Sequence, residues 1–191
     1  MIKKILFAAI VVLAACGQSN SDAGVMAEIA RGEKADEQVA QQVSVGNDAF
    51  LARVRAQPGV QALPSGLLIE FRHRGSNQSL PKPTAAAAVL VHYEGKLTNG
   101  SVFDSSIARN EPAQFPLGGV VPGFSEAIQQ MRPGDEVIAT FPPALGYGVE
   151  GQPPVIPPNA VLQFRIILLA FQEPGGQVVR APQAAQSQRR H

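Results

Sequence analysis

The chain has 191 residues, 45% of them hydrophobic, and a formal net charge of +1. That length suits one domain with appendages, and so small a net charge supplies no broad field for capturing nucleic acid or steering an anionic substrate. Cys16 is the single cysteine, so no disulfide can form within the chain and its stability must come from a packed core.

In chain order, Lys3 and Lys4 precede an apolar run from Ile5 to Ala15. The run is too short to span a bilayer as a mature helix and fits the apolar region of a secretory signal. Leu13-Ala14-Ala15-Cys16 resembles a bacterial lipobox, in which the cysteine is lipidated and becomes the first mature residue. The other readings are an ordinary signal peptide cleaved nearby, or a buried cysteine. A signal peptide is thus expected at 1–15, with Cys16 as the lipidation site. Gln18 to Gly24 is small and polar, as a tether would be. Met26 to Ala56 favours helix, weakened by Gly32 and Gly46, which predicts one or two short helices outside the main core. A lipidated tether and helical segment is expected at 16–46 and a helical lead-in at 47–64. In the lead-in Asn47 is predicted as N-cap, Phe50, Leu51 and Val54 as an apolar stripe, and Pro58-Gly59 as the stop.

Strand signals dominate from residue 67. Leu67, Ile69 and Phe71 alternate with Leu68, Glu70 and Arg72, and Val89, Val91 and Tyr93 alternate with Leu90, His92 and Glu94; each pattern predicts a strand with one buried face. Thr98-Asn99-Gly100-Ser101 offers an Asn-Gly turn into Val102-Phe103. The period then changes: Phe124, Ala127, Ile128 and Met131 follow helical spacing, and Arg132-Pro133-Gly134 stops the run. Val137, Ala139 and Phe141 alternate again, as do Leu162, Phe164, Ile166 and Leu168. Several strands and one short amphipathic helix predict an α+β domain with a largely antiparallel sheet. The tail, 173–191, is rich in Gln, Ala, Gly and Arg and is expected to be disordered.

The chemistry these residues exclude is informative. Gly146, Gly148 and Gly151 match the spacing of a dinucleotide-binding turn, but Pro153, Pro154, Pro157 and Pro158 follow and deny it the helix that a pyrophosphate needs. The histidines, His73, His92 and His191, are scattered, so no metal site is expected. No nucleophile elbow, P-loop or cofactor motif is present. His92 reads as a structural histidine on a polar strand face. What remains is a binding module or an enzyme of undemanding chemistry.

Five stretches, in order, decide between these: Val91-His92-Tyr93-Glu94-Gly95, Phe103-Asp104-Ser105-Ser106, Val121-Pro122-Gly123-Phe124, Gly146-Tyr147-Gly148 and Ile156-Pro157-Pro158-Asn159-Ala160. Together they closely resemble the FKBP family of peptidyl-prolyl cis-trans isomerases, with the match running over 65–172. The upstream stretch from Asn47 to Leu67 resembles the lead-in of the bacterial macrophage-infectivity-potentiator group.

The resemblance implies an antiparallel sheet wrapped around one short helix, after a short helical N-terminal extension. It implies a pocket between sheet and helix lined by Tyr93, Phe103, Asp104, Val120, Val121, Phe124, Tyr147, Ile156 and Phe164. Phe124 would be its floor, the Val121 N–H and the Tyr147 hydroxyl would bond substrate carbonyls, and Asp104 would pair with Arg109 near Tyr93. Gly146 to Asn159 would be the rim. The implied substrates are proline-containing polypeptides, with macrolides as inhibitors, no cofactor and no nucleic acid. The implied setting is the bacterial envelope, with a lipid anchor to a membrane; Gly17 after Cys16 points to the outer membrane. Three departures make the expected pocket roomier: Phe124 where many relatives have Trp, Ala113 where some have an aromatic residue, and Gln152 at a rim position often held by His. A binding module that kept the fold without turnover is the alternative. Read without the resemblance, Phe103, Phe124 and Phe164 also suit plain core packing, and Asp104 could cap a turn through Ser105 and Ser106.

Overall fold

The computed structural model describes residues 19–182. The described residues fall into two compact units, with the boundary between Gln41 and Gln42. The first helix, α1, runs from Ser19 to Arg55 and contributes to both. The expected tether at 18–24 and the one or two short helices are therefore corrected to one helix of 37 residues. Gly24, Gly32 and Gly46 lie inside it: each costs a helix about 1 kcal/mol relative to Ala, and the many Ala, Glu, Gln and Lys residues around them outweigh that. Asn47 is accordingly an interior position and not an N-cap. The predicted end holds, because Pro58 cannot extend the helix and Gly59 turns the chain at φ 83°.

The second unit is built on an antiparallel sheet. Its strands are β1 (Val60–Ala62), β2 (Leu68–His73), β3 (Ala88–Leu97), β4 (Val102–Ser105), β5 (Ala113–Pro116), β6 (Glu136–Phe141), β7 (Leu162–Gln172) and β8 (Val178–Arg180). The order is β1-β2-β6-β7-β3-β4, with β5 on β3 and β8 on β7. The longest pairing joins β3 and β7, from Ala88 opposite Gln172 to Leu97 opposite Leu162. The Asn-Gly turn forms as read: Gly100 takes φ 85°, and Leu97 donates to the Ser101 carbonyl at 3.0 Å.

One short helix, α2 (Pro122–Gln129), packs against the sheet. Pro122 opens it, where a missing N–H costs nothing. Phe124, Ala127 and Ile128, with Met131 just beyond, are buried among Val137, Phe141, Leu162, Ile166 and Leu168. Burying each large apolar side chain is worth about 1.5–3 kcal/mol. The helix can sit so low because of Gly123: a Cβ there would lie 2.5 Å from the Phe141 ring.

Just after α2, Asp135 is fully buried. Its carboxylate accepts from the Gly75 N–H at 2.7 Å, the Arg132 N–H at 2.9 Å and the Gln78 amide at 3.0 Å, with Arg74 3.7 Å away. The group fastens the 74–80 loop to the helix–strand turn.

The expectation of a disordered tail from residue 173 is corrected for its first part. Glu173 accepts the Gly176 N–H at 2.9 Å in a Pro-Gly-Gly turn, and Val178-Val179 then pair with Gln172-Phe171 as β8. β-Branched residues after a tight turn favour that hairpin over the composition's bias. The rest of the expected tail, and the expected signal peptide and Cys16, lie outside the described residues.

Candidate active site

Between α2 and the sheet opens a cavity of about 290 Å³. Strand alternation aims Tyr93 of β3 and Phe164 of β7 to the core side, and both are at least 95% buried. Phe124, from the first turn of α2, meets Phe164 edge-on at 5.2 Å and Tyr93 at 5.9 Å between ring centroids. Phe103 meets Phe164 edge-on at 5.4 Å. Such edge-to-face pairs fix ring orientation as well as fill space. Val120, Val121 and Tyr147 complete the wall.

Asp104 supplies the one charge in this lining. It accepts from the Tyr93 hydroxyl, and from Arg109 Nη1 at 2.5 Å. Arg109 also donates to the Tyr93 oxygen at 3.3 Å. Partial burial alone would raise the Asp104 pKa, but the hydrogen bonds from Tyr93 and Arg109 and the charge of Arg109 outweigh it and hold the carboxyl below its ordinary value. Burial, then the bond to Asp104, pushes the Tyr93 hydroxyl up. Burial, then the nearby Asp104 charge, does the same to Tyr147. Both phenols therefore stay protonated donors at neutral pH.

Two donors are left over. Among the described residues no hydrogen bond engages the Val121 N–H or the Tyr147 hydroxyl. Val121 precedes α2, and its carbonyl accepts the Phe124 and Ser125 N–H groups at 3.1 Å each.

Of the residues named from sequence, the lining brings together Tyr93, Phe103, Asp104, Val120, Val121, Phe124, Tyr147 and Phe164. Arg109 stands outside it, held to Asp104. Ile156 is buried in the core and does not line the cavity; its backbone exchanges hydrogen bonds with Gln152 at 2.8 and 2.9 Å. Phe115 and Gly119 line the cavity and were not anticipated. The signal for Phe115 was present in β5, where Ala113 and Phe115 face inward and Gln114 and Pro116 outward, but a proline at each end of the segment masked the strand.

Comparison with known proteins agrees with this geometry. A family model described as FKBP-type peptidyl-prolyl cis-trans isomerase matches residues 80–169. The FK506-binding protein 1A of Aspergillus fumigatus is 42% identical over 108 residues, 56% of this chain and 95% of that protein. The chain belongs to the FKBP-type peptidyl-prolyl cis-trans isomerase family. The peptidyl-prolyl cis-trans isomerase Mip of Coxiella burnetii is 43% identical over 125 residues, 65% of this chain and 53% of that protein. The chain thus spans about half the length of the Mip and FkpA relatives it matches. Among solved structures, a peptidyl-prolyl cis-trans isomerase from Pseudomonas syringae superposes with a TM-score of 0.64 at 33% identity, covering 72% of this chain and 96% of that one. This FKBP-type chain carries the α+β architecture read from its sequence.

Proposed function

We propose that the chain catalyses cis-trans isomerisation of X–Pro peptide bonds. The observation that carries the reading is the aromatic cavity with two uncommitted donors at its wall. Rotation about the bond has a barrier of roughly 18–20 kcal/mol because amide resonance must be broken. The planar amide is more polar than the twisted one, so transfer from water to an apolar cavity costs the planar form more. Burial therefore lowers the barrier. The Val121 N–H and the Tyr147 hydroxyl would hold substrate carbonyls while the bond turns, with differential binding of the twisted state as the source of rate. Asp104 and Arg109 would fix the Tyr93 ring; no proton need pass between protein and substrate.

Proline-containing segments of exported envelope proteins are the proposed substrates, with a lipid at Cys16 as anchor and the outer membrane as location. The relatives named Mip and FkpA and the lipobox-like Leu13-Ala14-Ala15-Cys16 support this setting. Macrolides are proposed to enter the same cavity with reduced affinity.

The test is an isomerisation assay on short X–Pro peptides with an apolar residue before proline. The full chain should accelerate the reaction, and Tyr147→Phe should slow it by a donor worth about 0.5–1.5 kcal/mol. A wild-type rate equal to the uncatalysed one would leave only the binding module.

A further inference from the structure

The end of α1 reaches the loop that carries Tyr147, a residue of the cavity lining, through a polar contact. Residues 41–46 are all exposed, and exposure then follows the helical period: Asn47, Phe50, Leu51 and Val54 are covered, whereas Asp48, Ala49, Ala52, Arg53 and Arg55 are not. Positions 47, 50, 51 and 54 share one helix face. An apolar residue at 47 would have continued the stripe. The chain places an amide there instead.

Asn47 Nδ2 donates to the Asn159 carbonyl at 2.7 Å. Asn159 holds a left-handed conformation, φ 56°, which asparagine adopts more readily than other non-glycine residues. Its N–H donates in turn to the Gly148 carbonyl at 3.0 Å. Gly148 is the residue after Tyr147, whose own carbonyl accepts the Gly151 N–H at 3.1 Å. One amide on a helix is therefore linked, through Asn159, to both ends of the 146–159 loop and to the residue beside Tyr147.

We propose that Asn47 is a positioning residue, which holds the rim loop and Tyr147 in the arrangement that receives substrate. This rests on reading the cavity as an isomerase site. Asn47 does not line the cavity, so its loss removes no group that meets substrate. Without the bond the neck of the loop is freer, and binding must then supply the order that Asn47 supplies now. The effect falls on KM, by about two- to tenfold for one hydrogen bond, with kcat held.

The experiment compares the full wild-type chain with Asn47→Ala and Asn47→Asp, the latter keeping size and losing the donor. KM and kcat are measured on an apolar-X–Pro tetrapeptide, and amide hydrogen exchange is followed at Asn159 and Gly151 against β6 and β7. Both variants should raise KM, leave kcat unchanged, and speed exchange at Asn159 and Gly151 only. Rim exchange that stays unchanged, rim exchange that speeds up while KM does not move, or exchange that rises equally in β6 and β7 each overturns the proposal. A wild-type chain without turnover would instead sink the isomerase reading, and the exchange comparison would still decide whether Asn47 holds the rim.

Discussion

Gly95 and Phe164 stand opposite each other across the β3–β7 ladder, and the space a Cβ on Gly95 would take is already filled. Such an atom would lie 2.8 Å from the Phe164 ring and 2.5 Å from the Phe103 ring. The absent side chain is what lets both rings enter the cavity wall. Gly95→Ala should therefore displace them, destabilise the fold by about 1–3 kcal/mol as overpacking does, and lower kcat/KM by about tenfold, the equivalent of about 1.4 kcal/mol. Urea titration and peptide turnover measure the two effects; a variant with normal kcat/KM would show that the rings do not need this gap.

The pH profile follows from the direction of the shifts. The folded pKa of Asp104 is lowered, so its contribution to stability is complete above the unfolded value and is lost as pH falls through the folded one. The hydroxyls of Tyr93 and Tyr147 are raised, so their contribution is present below the unfolded value and lost as pH rises through the folded one. Because these shifts move both limits outward from the ordinary values near 3.9 and 10, turnover should be flat between about pH 5 and 9. An inflection inside that window that disappears in Asp104→Asn would contradict the assignment.

Phe124 touches the rings of Tyr93, Phe115 and Phe164, with centroids 5.2–6.1 Å away. An indole at that position would add contact area to the cavity floor, and lost contact costs affinity in proportion to the void. Phe124→Trp should tighten macrolide binding, read as an inhibition constant, while a flexible peptide, which can settle deeper, gains less. Unchanged or weaker inhibition would rule out the floor as the cause of reduced macrolide affinity.

Asp135 tests the scaffold apart from the chemistry. Asp135→Ala removes the acceptor from two backbone N–H groups and from Gln78. Breaking a buried charged network on one side costs about 3–5 kcal/mol, so thermal unfolding should shift sharply downward. Below that transition turnover per folded molecule should be retained, because Asp135 does not line the cavity.

The anchor is tested at the other end of the chain. Cys16→Ala should move the protein out of the membrane fraction, since several acyl chains hold firmly where one binds marginally. Unchanged fractionation would refute lipid attachment.

The sheet and the cavity were legible in the sequence to different depths. Long alternating runs such as Val89–Tyr93 and Leu162–Leu168 announce their buried face directly, and the four residues from Phe124 to Met131 at helical spacing announce α2. Strands of three or four residues, β1, β5 and β8, are too short to show a period against their flanking Pro and Gly, which is why Phe115 went unseen. Ile156 was misplaced for another reason: motif order locates a residue along the rim but not which way its backbone turns, and here the pairing with Gln152 carries it into the core. The length of α1 depended on summed propensity beating three glycines, a balance no local motif displays.

The strand order has a consequence for how the molecule itself comes to be folded. β7 is the shared partner of β3 and β6, yet it is nearly the last strand to be synthesised. Val91 waits for Leu168, and Leu68 for Thr140. Non-local pairing of this kind slows folding, and until β6 and β7 arrive, β2 and β3 lack those ladder partners and α2 has no complete sheet to cover. The emerging chain is thus, for most of its synthesis, an aggregation-prone client of its environment.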